Sequence, residues 1–221
     1  MFESLLRKRT HHFSKATSLA EWASLRGLDY AELFDGQHAM GGELFGRAFR
    51  AERISTRRPY MKGTAWMARC DLGLSPEVEA VVLNRPLKRR FEGEIEEMRA
   101  QASAVGAGKP PPVAEELIWT DEFPDQGWSG PDDFFWDRYA VLTDVREVVR
   151  RWINEEAVDR LMSWPSAVTQ ETPLMYMLVR GKLYMRMQAM PAADPAVALH
   201  ALDTMEFLSG RALALMDQSK R

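Results

Sequence analysis

The clearest folding signal in this sequence is a pair of strand-like segments near its C-terminus, separated by a short polar turn. Residues 174–179 are apolar throughout, and residues 183–188 alternate. One side of the second segment is formed by Leu183, Met185 and Met187, and the other by Tyr184, Arg186 and Gln188. This period of two is typical of a strand with two unlike faces. With Arg180-Gly181-Lys182 between the segments, the pattern predicts a tight antiparallel hairpin.

A second hairpin with a long connection is predicted in the N-terminal half. Residues 44–54 alternate roughly, and residues 55–63 form the connection. The following strand places Trp66, Ala68, Cys70 and Leu72 on one face and Met67, Arg69 and Asp71 on the other. The glycine-rich segment 41–46 lacks the Gly-Lys-Ser/Thr ending of a phosphate-binding loop and precedes a strand. We therefore interpret Gly41-Gly42 as a turn that leads into this hairpin.

Several segments have helical periodicity. Helices are predicted over residues 18–26, 87–98, 145–153, 155–163 and 195–216. Ser18 followed by Glu21 has capping-box spacing, and Gly27 suits the end of the first helix. Residues 77–83 fit either a strand or a helix, and residues 117–139 are predicted to be irregular. The expected fold class is α+β, an antiparallel sheet built from two hairpins with helices packed on one face.

The composition of residues 101–112 indicates an internal boundary. This stretch is rich in Ala, Gly and Pro and ends in three consecutive prolines, which cannot continue a helix. The predicted organisation is an N-terminal half over residues 1–105, a linker over 106–116 and a C-terminal half over 117–221. Packing of both halves into a single domain is the alternative.

Residues 134–216 resemble a unit found in uncharacterised bacterial proteins. The likeness consists of element order: the strand-like segment Tyr139-Ala-Val-Leu, two short helices, a hairpin and a long helix. No activity is assigned to that unit. The resemblance implies a bacterial source and supports the predicted fold class.

Charge and cysteine content narrow the expected compartment. The net charge is −3, and the chain contains one cysteine, Cys70, which excludes both an intramolecular disulfide and a zinc site built from several thiolates. A reducing cytoplasm is therefore expected. No stretch approaches the ~18 apolar residues of a membrane span, so no membrane partner is predicted. Cys70 itself falls on an apolar face, where a thiol is inert.

Two segments of opposite charge are the strongest binding signal. The basic segment contains Arg47, Arg50, Arg53, Arg57, Arg58 and Lys62. The segment 117–139 combines six carboxylates with seven aromatic residues, among which Trp128 and Trp136 are candidate anchors. Aromatic and arginine side chains dominate many protein interfaces. The basic segment could dock on the acidic one, within one chain or across a homodimer, or bind phosphate or an acidic protein. Alternatively, the aromatic residues anchor an irregular loop to the core.

No catalytic or metal-binding motif is present. The histidines His11, His12, His38 and His200 lack ligand spacing, and no cofactor is predicted. The leading hypothesis is a non-catalytic protein of the bacterial cytoplasm that binds another protein, as an adaptor, an immunity-type protein or a regulatory subunit. One alternative is a hydrolase that uses Asp132, Asp133 or Asp137 in an aromatic cleft. The other is nucleic-acid contact through residues 47–62 and Lys88-Arg89-Arg90, which the negative net charge disfavours.

Overall fold

Eight strands form one antiparallel sheet in the computed structural model, which describes residues 16–56, 58, 60–105, 115–165, 171–189 and 195–218. The strands are β1 (Asp29–Glu32), β2 (His38–Leu44), β3 (Arg47–Ser55), β4 (Thr64–Asp71), β5 (Ala80–Asn84), β6 (Tyr139–Leu142), β7 (Leu174–Val179) and β8 (Lys182–Gln188). Their order across the sheet is β1-β2-β3-β4-β8-β7-β5-β6, and every neighbouring pair is antiparallel.

Seven α-helices surround this sheet in the described residues. They are α1 (Leu19–Ser24), α2 (Arg85–Val105), α3 (Glu115–Glu122), α4 (Asp133–Arg138), α5 (Arg146–Trp152), α6 (Glu155–Met162) and α7 (Pro195–Gln218). A short 3₁₀ helix, Phe34–Gly36, joins β1 to β2. The predicted α+β class is confirmed, and so are the two predicted hairpins, which are β3–β4 and β7–β8.

The two faces of the sheet are covered to different extents. On the core face, residues such as Ala51, Ala68 and Met185 form a continuous apolar layer under α1, α5, α6 and α7. On the second face, α2 and α3 cover β5, β6 and β7, through the contacts of Phe91 and Leu117 among others, and the same cover reaches Tyr184 and Arg186 of β8. The helices therefore lie on both faces, where the sequence predicted one.

The burial pattern of the strands explains this uneven cover. Strands β5, β6 and β7 are buried at every position, whereas β8 alternates between buried and half-buried residues. A strand that is apolar on both sides is stable only when both faces are covered. An alternating strand needs full cover on one side only, so β3 and β4 leave much of their second face to solvent, and the second face of β8 is half-buried.

Gly41 and Gly42 do not form the predicted turn. Both lie inside β2, and the chain reverses at Phe45 and Gly46, whose φ angles are 56° and 68°. A Cβ on Gly42, which has φ 144°, would lie 3.0 Å from Leu28 Cδ2. The glycine at 42 thus permits a close approach of Leu28, while the turn uses the Phe-Gly pair that fits two left-handed positions.

The sequence leaves two other segments ambiguous or predicts them to be irregular, and the structure assigns regular elements to both. The ambiguous stretch 77–83 ends in strand β5, between β7 and β6. The stretch 117–139 is irregular only over residues 123–132, because α3 extends to Glu122 and α4 begins at Asp133. The side chain of Asp132 accepts a hydrogen bond from Phe135 N at 3.0 Å, a cap that allows a helix of only six residues to form.

The predicted first helix is confirmed together with its cap. Ser18 Oγ accepts a hydrogen bond from Glu21 N at 3.2 Å. The Arg26 side chain then ties this end of the chain to α7 through ion pairs with Asp203 at 3.0 Å and Glu206 at 2.6 Å. Its guanidinium also lies 4.1 Å from the centre of the Trp22 ring, so α1 is fixed by charge as well as by apolar packing.

Strands from both sides of the Pro/Gly stretch contribute to the same sheet. Strand β4 pairs with β8, and β5 pairs with both β6 and β7. Of the predicted linker, residues 106–114 lie outside the described residues, while Glu115 and Glu116 begin α3. The division into an N-terminal and a C-terminal half stays a prediction.

Candidate functional site

The basic residues of the N-terminal hairpin point in different directions. Arg47 and Arg53 lie on the core face of β3, and Arg50 lies on the second face, because alternate residues of a strand face opposite ways. Lys62 is exposed in the connection between β3 and β4. Arg57 lies outside the described residues. The structure therefore distributes the described cations of this segment over separate surfaces instead of bringing them into one patch.

Arg58 is committed to an ion pair inside the chain. Glu116 at the start of α3 is only 3% exposed, and its Oε1 contacts Arg58 Nη1 at 2.6 Å and Arg186 Nη1 of β8. Arg186 Nη1 also donates a hydrogen bond to Tyr60 Oη at 3.0 Å. Burial lowers the pKa of Arg186, and Tyr60 opposes the shift. This buried ion cluster joins the β3–β4 connection to α3 at a position one residue before the acidic and aromatic segment begins.

The open face is defined as the part of the second face of β1–β4 and β8 that α2 and α3 do not cover. Across its centre, Arg50 of β3 pairs in register with Arg69 of β4, and Arg69 pairs with Tyr184 of β8. Both arginines are exposed, and Tyr184 is half-buried against the edge of the α2–α3 cover. The sequence analysis identified Arg50 but missed Arg69 and Tyr184, which lie 19 and 134 positions further along the chain.

The charges of these two arginines are balanced to different degrees. Arg50 Nη2 lies 2.5 Å from Glu52 Oε2, although the Arg50 side chain is 68% exposed. Arg69 has no ion pair with any carboxylate of the described residues. The open face therefore presents one partly neutralised and one unneutralised guanidinium side by side.

The aromatic residues of the acidic segment mostly serve packing. Trp128 is buried and Trp136 is half-buried, and their rings meet edge to face with centroids 5.0 Å apart. The Tyr139 hydroxyl donates to Leu161 O at 2.7 Å. Phe134, at 74% exposure, is the exception. This arrangement favours anchoring of the segment to the core over a role for Trp128 in binding.

The three carboxylates of the hydrolase alternative face solvent. Asp132, Asp133 and Asp137 are all exposed. Asp132 caps α4, and Asp133 lies in the first turn of that helix, where a negative charge is favourable. Both positions are explained by helix capping, with no cleft required.

Histidine and cysteine side chains form no metal centre in the described part of the chain, where no group of three ligand side chains occurs. Cys70 is fully buried, and burial raises the pKa of its thiol to about 11, which keeps it protonated and unreactive near neutral pH. His200 Nε2 donates to Arg160 O at 2.8 Å, and its ring meets Trp164 edge to face. His11 and His12 lie outside the described residues.

Acidification should destabilise the fold through His200. Burial lowers the pKa of its imidazole, its hydrogen bond to the Arg160 backbone opposes this, and the charges of Arg160 and Arg138 add to the lowering. As the pH falls, His200 is protonated in the unfolded chain at a higher pH than in the folded one. The stability that the neutral imidazole contributes is therefore present above the unfolded pKa of about 6.5 and is lost as the pH falls below it. Urea unfolding between about pH 7.5 and about pH 5.5 measures the effect. In a His200→Gln variant the fall with pH should be shallower, and equal slopes in both proteins would contradict the assignment.

Comparisons with known proteins add one distant structural neighbour. No family model matches the chain, and no curated protein matches its sequence. Among solved structures, the chain is similar to the mycobacterial trehalose monomycolate transport factor A, TtfA, at 12% identity and a TM-score of 0.44. The match covers 87% of this chain and 90% of that one. Over the described residues, no helix is both long and apolar enough to cross a bilayer.

Proposed function

We propose that this chain is a non-catalytic protein of the bacterial cytoplasm that binds an acidic segment of another protein through the open face. An adaptor, an immunity-type protein or a regulatory subunit would act in this way. The observation that carries the proposal is the register pair of Arg50 and Arg69 on an exposed part of the sheet. The resemblance of residues 134–216 to bacterial proteins and the single cysteine support the compartment.

Placing two arginines directly across from each other has a cost. Side chains at paired positions on one face have Cβ atoms about 5 Å apart, and like charges there destabilise the sheet. Glu52 offsets part of this repulsion at Arg50, and no described carboxylate forms an ion pair with Arg69. A carboxylate brought by a partner would remove the repulsion, and the planar guanidinium binds a carboxylate through two parallel hydrogen bonds.

The surroundings of the pair favour a protein over a nucleic acid. The open face also carries the carboxylates of Asp29, Glu43, Glu52 and Asp71, which would repel a polyphosphate chain. A protein segment with isolated acidic groups can meet the arginines and avoid these carboxylates. Tyr184, next to Arg69 in the same row, offers an amphipathic ring of the kind that anchors protein interfaces.

A labelled acidic peptide tests this proposal directly. A fluorescein-labelled peptide of alternating Glu and Leu is titrated with the protein and followed by fluorescence anisotropy. We expect saturable binding that weakens about tenfold or more in the Arg50→Gln/Arg69→Gln variant, because each lost charged hydrogen bond contributes about 1.5–3 kcal/mol. The matched control is Arg47→Gln/Arg150→Gln, which removes the same net charge from exposed positions off the open face.

Three outcomes would overturn the proposal. Equal losses in both double variants would show non-specific attraction to a positively charged protein. Tighter binding of a single-stranded DNA probe than of the peptide, with a steep dependence on salt, would assign the face to nucleic acid. Sedimentation coefficients that rise with protein concentration in the native chain, but not in the Arg50→Gln/Arg69→Gln variant, would assign the face to a homodimer.

A further inference from the structure

One register row of the core face is polar where the next row toward the middle of the strands is apolar. Glu32 of β1 pairs with His38 of β2, His38 with Arg53 of β3, and Arg53 with Trp66 of β4. The next row along the same strands contains the apolar residues Met40, Ala51 and Ala68. A sheet face that packs under helices is expected to be apolar throughout, so this row departs from what the fold requires.

A cavity of about 310 Å³ lies over the polar row. Its floor is formed by the row and Tyr30, and its walls come from α1 and the beginning of α7, including Leu19 and Ala198. This volume is at the lower end of the range for small-molecule sites, about 300–1,000 Å³. Apolar walls with a few polar groups on one side are the usual composition of such a site.

Three rings in the cavity form a stack. The His38 ring is nearly parallel to the Trp66 ring, at 6° with centroids 5.8 Å apart, and lies 6.0 Å from the Tyr30 ring. A hydrogen bond of 2.9 Å links Tyr30 Oη and His38 Nδ1. Burial lowers the pKa of His38, while the charge of Glu32 opposes this and that of Arg53 adds to it. The imidazole is therefore neutral near pH 7 and leaves Arg53 as the cation of the site.

One hydrogen bond orients the Arg53 guanidinium, but another of its N–H donors lacks an acceptor among the described residues. Its Nη1 donates to Gly36 O at 2.8 Å, and a side chain at Gly36 would crowd it, since a Cβ there would lie 3.3 Å from Nη1. Its Nε is buried and has no hydrogen-bond partner among the residues that the structure describes. In the described part of the chain, no carboxylate forms an ion pair with this guanidinium. Buried polar groups are nearly always paired, so the Nε of this cavity-lining arginine indicates a missing acceptor.

We propose that this cavity binds a small organic anion, whose carboxylate or phosphate accepts hydrogen bonds from Arg53 and whose flat apolar body packs against Trp66 and Leu19. The Nε edge of a guanidinium presents two parallel donors, which match two oxygens of either group. The site lies on the face of the sheet opposite to the open face, so it is independent of the proposed protein contact.

The test uses two probes that share a ring system and differ in the anion. 1-Naphthoate and 1-naphthyl phosphate are each titrated into ¹⁵N-labelled protein, with neutral 1-naphthamide as the matched control compound. The readout is the Nε–H resonance of Arg53 in ¹H–¹⁵N spectra, assigned by its loss in an Arg53→Lys variant. We expect a saturable shift with at least one anion below about 10 mM, and binding at least about tenfold weaker for naphthamide. The anion that binds more tightly identifies the carboxylate or the phosphate as the natural group.

The variants separate this site from general charge effects. In the Arg53 variants, binding is followed by the backbone amide resonances of Tyr30 and Trp66, which line the cavity. Arg53→Gln, and Arg53→Lys, which keeps the charge but loses the paired donors, should each weaken anion binding about tenfold or more. Arg47→Gln, at an exposed position on the same face of the same strand, should bind as the native protein does. Far-UV circular dichroism confirms that each variant is folded. No saturable shift with either anion, equal binding of naphthamide, or unchanged affinity in both Arg53 variants would overturn the proposal.

Discussion

The Gly181→Ala variant is expected to lose about 3–5 kcal/mol of its free energy of unfolding, a large part of the stability of a typical domain. Gly181 has φ 71° in the β7–β8 turn, a conformation that costs an L-residue about 1–2 kcal/mol. An added Cβ would also lie 2.3 Å from Leu74 O and 3.1 Å from Leu74 C. Those are backbone atoms, so no rotamer change can relieve the overlap. The segment around Leu74 would have to move away from the hairpin.

Gly46→Ala is the matched control for this variant. Gly46 has φ 68° at the equivalent position of the β2–β3 turn, and apart from Gly46 and its chain neighbours no atom of the described residues lies within 4 Å of its added Cβ. Its expected loss is only about 1–2 kcal/mol, the cost of the left-handed conformation. Urea unfolding of both variants measures the difference. Similar losses in the two variants would contradict a steric role for Leu74.

The Glu116→Gln variant is expected to lose about 3 kcal/mol, because it leaves Arg58 and Arg186 without their shared carboxylate. Removing one partner of a buried ion pair costs about 3–5 kcal/mol. The expected value lies at the lower end because Arg58 is 34% exposed and can turn partly toward water. Thermal and urea unfolding measure the loss. We also expect α3 to detach from the sheet before the sheet itself unfolds.

Glu115→Gln is the control one residue away. Glu115 is also in the first turn of α3 and pairs with Arg180, but both side chains are largely exposed. Such a pair contributes about 0–1 kcal/mol, so Glu115→Gln should stay close to the native stability. Adding Arg186→Met to Glu116→Gln should recover part of the loss, since one buried charge is then replaced by an apolar side chain. Equal losses for Glu115→Gln and Glu116→Gln would show that Glu116 acts only through the helix dipole.

Local patterns were sufficient to predict much of the fold. The β7–β8 hairpin, the buried face of β4 with Trp66 and Cys70, and the cap of α1 at Ser18 all depend on residues within a few positions of one another. Side-chain alternation and capping act over that range. The same reasoning misplaced the Gly41-Gly42 turn, because the reason for glycine at 42 is the approach of Leu28, a tertiary contact.

The candidate sites were predicted less completely. Arg50, Arg53 and Arg58 were recognised as cations, but their separate roles depend on distant partners. Arg58 meets Glu116, which is 58 positions away, and Arg50 meets Arg69 only because β3 and β4 pair in one particular register. A cluster of charges along the sequence therefore indicates that cations are present and not which of them share a surface.

The amino-acid sequence was enough to establish the α+β class, the two hairpins and the faces on which the residues of β4 and β8 lie, since these follow from short-range periodicity. The strand order, the second layer of helices over β5–β7 and the row from Glu32 to Trp66 required the folded chain. Alternation assigns a residue to a face, but the neighbours across that face depend on which strands pair and in what register. Those choices minimise the exposed apolar surface of the whole molecule, which no short segment encodes.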